Sequence, residues 1–80
     1  MVLGAPIGII RARWPADADR ILNHRAWIGM TADQLLASWG RGTINRTITA
    51  GGVHEQWVYY HSNYIYLDNG IVTAIQQETR

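Results

Sequence analysis

The chain has no cysteine, no lysine and only two prolines in 80 residues. Without cysteine it can form no disulfide and offers neither a thiolate nucleophile, a thiolate metal ligand nor a thioether lipidation site. With lysine absent, positive charge rests on Arg11, Arg13, Arg20, Arg25, Arg41, Arg46 and Arg80, and the formal net charge is +1. A nucleic-acid surface concentrates such charge on one face or one helix, so this scatter argues against that class of partner. Also missing is a long apolar run. The stretch Met1 to Ile10 is too short to cross a bilayer, and Arg11 and Arg13 follow it, where a signal peptide carries its charge first. It reads as an extended lead or edge strand over residues 1–15, with a trimmed anchor or the remnant of a longer chain as the alternatives.

What is present is a β-rich second half. Hydrophobic residues make up 48% of the chain, which argues against disorder, and the length suits one small domain over residues 16–80. From Arg41 to Gln77, short β-forming runs are broken by Gly51-Gly52, by His61-Ser62-Asn63 and by Asp68-Asn69-Gly70. Gly-Gly and Asn-Gly take the positive φ values of two-residue hairpins, so the runs predict a four-stranded antiparallel meander. Pairing Ala50 with Val53, Tyr60 with Tyr64 and Asp68 with Ile71 sets the expected register. Alternation then collects Ile44, Ile48, Trp57, Tyr59, Ile65, Leu67, Val72 and Ala74 on a core face, with Arg46 and Glu55 at its rim, where they can pair diagonally.

The first half predicts the cover for that face. A short helix is expected from about Ala16 to Ala26, with Ala18, Ile21 and Leu22 on its apolar stripe. Thr31 followed by Gln34 is a capping-box signature, with Met30 and Leu35 placed as a hydrophobic staple, and it opens a second helix over Ala32 to Trp39 that buries Leu35, Leu36 and Trp39. Gly40 can close that helix in a left-handed conformation. Neither helix is long enough to persist alone, so both are expected to dock on the sheet. The predicted fold is therefore α+β in the order α-α-β-β-β-β: a two-layer helical hairpin on a meander, with Leu35, Trp39, Trp57, Tyr59, Ile65, Leu67 and Val72 as its structural core.

The runs IGMTADQLLASWG, HEQWVYY and YIYLDNGIVTAI resemble the SmpA/OmlA, or BamE-like, family of outer-membrane assembly lipoproteins. The resemblance covers about Ile28 to Ile75 and rests on Gly29-Met30-Thr31, Gln34-Leu35, Gly40, Trp57 with Tyr59, Ile65 with Leu67, and Asn69-Gly70-Ile71-Val72. It implies a helical hairpin on a small antiparallel sheet, a topology similar to that of β-lactamase inhibitory proteins, and action through protein contacts in the cell envelope. The chain departs from the family pattern in lacking the lipidated cysteine, which bears on location. It also carries Arg41-Gly42-Thr43 where a Pro-containing loop is usual after Gly40, which alters the helix-to-sheet corner.

No constellation of catalytic residues stands out. His54 and His61 would lie roughly 20 Å apart along one strand, too far to share a metal ion, and His24 belongs to the first helix. Ser38 sits beside Trp39 without a nucleophile elbow, Ser62 and Asp68 read as turn residues, and Glu55 is explained by Arg46. Gly40-Arg41-Gly42 and Gly51-Gly52 lack the lysine and following helix of a phosphate loop. The expectation is a non-catalytic chain with no cofactor, no metal and no membrane insertion of its own. The aromatic half of the second sheet face, with Val58, Tyr60, Tyr64, Tyr66 and Ile75, is the expected interaction surface. A protein partner, a second copy or the chain's own residues 1–10 could cover it. The function expected is that of an assembly or scaffold domain; the alternative is an inhibitor that occludes an enzyme cleft with the loops at Gly51-Gly52 and His61-Ser62-Asn63.

Overall fold

The computed structural model describes residues 6–77, apart from the side chain of His61. Three helices, α1 (Ile7–Arg13), α2 (Ala18–Leu22) and α3 (Ala32–Trp39), precede four strands, β1 (Thr43–Thr49), β2 (Gly52–Tyr59), β3 (Asn63–Asp68) and β4 (Ile71–Gln76). The strands form one antiparallel sheet in the order β1-β2-β3-β4, with a 3-10 turn over Tyr60–Ser62 between β2 and β3. The fold is α+β, a helical part packed on a meander.

Local chemistry sets α3. The Thr31 hydroxyl accepts the Gln34 N–H at 3.1 Å, and the Gln34 side-chain oxygen accepts the Thr31 N–H at 2.9 Å, so two otherwise unpaired donors are satisfied reciprocally. Gly40 ends the helix at φ 79°, its N–H donating to the Leu36 carbonyl. The Tyr59 hydroxyl then donates to the Gly40 carbonyl at 2.9 Å, and the Tyr59 ring meets Trp39 edge-on at 5.0 Å, which ties the end of α3 to β2. Burial pushes the Tyr59 phenol well above its ordinary pKa, because the phenolate would lose its water.

Two buried clusters follow. Met30 and Leu35 pack on Trp57, Ile65, Leu67 and Val72 between helix and sheet, flanked by Trp39, Ile44, Tyr59 and Ile75. Burial of each such aliphatic side chain is worth about 1.5–3 kcal/mol. Ile10, Ala18, Ile21 and Ala37 form the second cluster, joining α1 and α2 to the far side of α3, and Trp27 packs against both. The buried polar groups are bonded: Ser38 Oγ donates to the Arg25 carbonyl at 2.7 Å, and Gln34 Nε2 to Asp17 at 3.2 Å.

Several expectations are corrected. Residues 7–13 are helical where an extended lead was expected: Pro6 supplies the first turn's acceptor, and Ile10 buries itself against Ala18 and Ile21. Residues 1–5 of that lead lie outside the described residues. The expected helix over 16–26 contracts to five residues, since Asn23 and His24 leave the helical region, His24 at φ 57°. That helix reaches its buried neighbours through α3 and not through the sheet. Within α3, Leu36 is 42% exposed, and Ala37 and Ser38 take the buried positions because α3 is covered on two sides.

The strand register also differs from the expected one. Ala50-Gly51 forms the first turn, so Thr49 pairs with Gly52 and Trp57 lies opposite Ile44, two residues from expectation. The cause is Asn69, whose N–H donates to the Val53 carbonyl at 2.7 Å and whose side-chain oxygen accepts the Val53 N–H at 2.9 Å. Gly52 sits at φ 127° against the Asn69 amide, where a Cβ would collide. Tyr64 pairs with Val58 and not with Tyr60, again two residues from expectation, and Tyr59 pairs with Asn63, which sets Trp57 against Ile65. The third turn is as expected, with Asn69 at φ 51° and Gly70 at φ 83°, and Leu67 opposite Val72. Beyond it a bulge inserts Thr73, whose hydroxyl donates to the Tyr66 carbonyl at 3.4 Å. One extra residue reverses the faces, so Ala74 becomes exposed and Ile75 packs on the core.

Candidate interaction surface

Antiparallel pairing places Val58, Tyr64 and Tyr66 on the sheet face opposite α3, with Val58 directly across from Tyr64. Their neighbours on that face are Thr43, Asn45 and Thr47 from β1, His54 and Gln56 from β2, Asp68 from β3, and Ala74 and Gln76 from β4. None of these residues is buried. Of the five residues expected to form the surface, three are brought together. Tyr60 belongs to the 3-10 turn and is 90% exposed, and the Thr73 bulge turns Ile75 to the opposite face. Residues 7–10 lie with the helices and do not cover this face, because Ile10 is packed against Ala18 and Ile21.

Side chains bond across the face at two levels. Asn45 Nδ2 donates to Gln56 Oε1 at 3.1 Å, Gln56 Nε2 to the Tyr66 hydroxyl at 3.4 Å, and that hydroxyl to Gln76 Oε1 at 3.1 Å, a ladder through all four strands. Such a ladder fixes the rotamers of Gln56 and Tyr66 before any partner arrives, which lowers the ordering cost of contact. Nearer the turns, Thr49 Oγ1 is 2.9 Å from His54 Nε2, and His54 Nδ1 is 2.7 Å from Asp68 Oδ1. The Gly51 N–H donates to Thr49 Oγ1 at 3.1 Å.

The order hydroxyl, imidazole, carboxylate is that of an acid–base relay, and sequence reasoning, which found His54 too far from His61 to share a metal ion and took Asp68 as a turn residue, did not bring them together. Only a register joining Thr49 to Gly52 and His54 to Asp68 could have done so. Here the three groups stand at an open sheet end, with His54 and Asp68 side chains 40% and 51% exposed. Water screens such a chain, so it serves as a staple across three strands more effectively than as a preorganised catalyst. His24 is separate, its Nδ1 lying 2.8 Å from the Ser38 carbonyl. Among the described residues there is no group of three or more His, Cys, Asp or Glu able to hold a metal ion, and no helix long and apolar enough to cross a membrane.

The other face carries one carboxylate beside the core. Glu55 lies opposite Arg46, accepting from Arg46 Nε at 2.8 Å and from Trp57 Nε1 at 2.9 Å, so the pair is direct and not diagonal as expected. The Trp57 N–H first, and then Arg46, hold the carboxyl below its usual range against the opposing cost of burial.

No family model, curated protein or solved structure matches the chain.

Proposed function

We propose that the protein is a non-catalytic interaction domain that acts as an assembly or scaffold component, binding a protein partner through the outer face of its sheet. The observation that carries this reading is the set Val58, Tyr64 and Tyr66, held together on an accessible face with the Tyr66 hydroxyl fixed between Gln56 and Gln76. Tyrosines offer large contact area at low ordering cost and keep a polar handle for the partner. The resemblance of IGMTADQLLASWG and the following strands to BamE-like lipoproteins supports the same class and an envelope setting. Inhibition of an enzyme is the second reading, favoured by Tyr60, which projects from a tight turn closed by Asn63 Nδ2 donating to the Tyr60 carbonyl at 2.9 Å.

The test is capture of partners from the source proteome by the full chain and by Tyr64→Asp and Tyr66→Asp variants, with circular dichroism confirming that both remain folded. Loss of a captured partner in both supports the outer face. Unchanged capture by folded variants overturns it, and loss with Tyr60→Asp alone moves the function to the turn.

A further inference from the structure

The two edges of the sheet are finished differently. At β4 the chain caps its own edge: the Gly29 N–H donates to the Val72 carbonyl at 2.8 Å, the Val72 N–H to the Met30 carbonyl at 2.9 Å, and Thr31 bridges Ile71. No described residue does this for β1. Val53 spends both backbone groups on Asn69, on the β3 side, so alternation turns His54 and its partner Thr47 toward each other. By the same period, Ile44, Arg46 and Ile48 direct their N–H and C=O groups out of the sheet. Their side chains share the face of α3. There a shallow groove of about 270 Å³ runs between α3 and β1, lined by the apolar Ala32, Leu36, Ile44 and Trp57 and by Asp33, Glu55, Arg41 and Arg46; Asp33 is paired with Arg13 at 2.8 Å and Glu55 with Arg46 at 2.8 Å.

We infer that the β1 edge is a strand-addition site for an extended peptide of another protein, one with an acidic residue flanked at the second position on each side by apolar residues. The inference rests on the interaction reading above and gives it a second surface. Three backbone pairs at Ile44, Arg46 and Ile48 supply the pairing. An apolar side chain opposite Ile44 fills the groove against Leu36, and another covers Ile48, which is 74% exposed. The acidic residue meets Arg46, which engages Glu55 through Nε and remains 56% exposed; with both carboxylates of the groove paired, Arg41 in the same lining supplies the positive charge in excess. Charge disfavours a second copy of the chain in the register that matches all three outward-facing positions. Antiparallel self-pairing that matches Ile44 with Ile48 sets Arg46 against its own copy, and like charges directly opposite are destabilising.

The experiment uses the full chain, isotopically labelled, and two blocked synthetic peptides, Thr-Val-Thr-Glu-Thr-Ile-Thr and its lysine counterpart. The expected result is that the glutamate peptide slows hydrogen exchange at the Ile44, Arg46 and Ile48 amides and leaves Asn45 and Thr47, already facing β2, unchanged. The lysine peptide should bind about tenfold more weakly, and Arg46→Glu should reverse that order, which also shows that the variant is folded. Equal binding of the two peptides, or no protection at about 1 mM peptide, overturns the inference. Shifts confined to Tyr64 and Tyr66 overturn the edge while sparing the interaction reading; loss of capture without any effect at the edge separates the two in the other direction. Protection of the same amides that rises with protein concentration, in the absence of peptide, assigns the edge to self-pairing and overturns the occupant.

Discussion

The two faces of the sheet are built from alternate residues of the same strands, and they solve opposite problems. On the helical face Trp57, Ile65, Leu67 and Val72 are shielded by Met30 and Leu35, and the carboxylate there is held by an indole and a guanidinium. On the outer face Asn45, Gln56, Tyr66 and Gln76 keep polar atoms paired with one another while remaining open to solvent. One face derives its energy from excluded water, the other from ordered groups that still meet water. Stability is thus concentrated on one side, which leaves the other able to vary for contact.

Leu67→Ala against Tyr66→Ala breaks this comparison with the largest effect, since the two positions are adjacent and point to opposite faces. Leu67→Ala should cost about 2–5 kcal/mol, from lost burial and the cavity left behind. Tyr66→Ala should cost about 0.2–1 kcal/mol for its cross-strand contacts. Urea unfolding followed by tryptophan fluorescence measures both, and equal losses would erase the distinction between the faces.

The next effect lies where the faces meet at the turns. Gly52→Ala should destabilise by about 1–3 kcal/mol, because Gly52 has φ 127° and its new Cβ would meet the Asn69 amide. If the register is set by Asn69, the variant should also lose exchange protection at Val53 before the rest of β2. Thr31→Ala is expected to cost about 1 kcal/mol, the loss of one side of the capping box, with no change in the outer-face amides.

How much of this was legible in the sequence follows the range of the interactions. The limits of α3 and its capping box were readable because Thr31, Gln34 and Gly40 act within a few residues. So was the Asn69-Gly70 turn, which needs only two positive φ values. The first hairpin slipped by two residues because its register depends on Asn69, sixteen residues from Val53. A slip of two preserves faces, so the core residues Trp57, Ile65 and Leu67 were still placed correctly. The single-residue bulge at Thr73 does not preserve them, and it moved Ile75 out of the expected surface and Ala74 into the open. Nothing in the local pattern of residues 7–13 shows that Ile10 will find Ala18 and Ile21, which is why that helix was read as extended. The Thr49, His54 and Asp68 chain was hidden for the same reason, as it crosses three strands.

The smallest effect sharpens the comparison through pH. Glu55 is held below the usual carboxylate range in the folded chain by the Trp57 N–H and Arg46. A depressed folded value means that the unfolded chain binds its proton first, so this contribution is full above the unfolded pKa and disappears as pH falls through the folded one. Glu55→Gln removes that dependence. Arg46 is 56% exposed, so the pair is worth about 0.2–1 kcal/mol at neutral pH. Urea midpoints collected between about pH 6 and about pH 2 should show a shallower acid limb in the variant than in the parent chain. Tyr59 works in the opposite direction at the alkaline end. Its raised folded pKa makes its contribution full below the unfolded value and lost as pH climbs above it, so Tyr59→Phe should flatten the alkaline limb. If the acid limbs of the parent and Glu55→Gln coincide, the carboxylate is not held by its neighbours, and the helical face is dry only at its aliphatic centre.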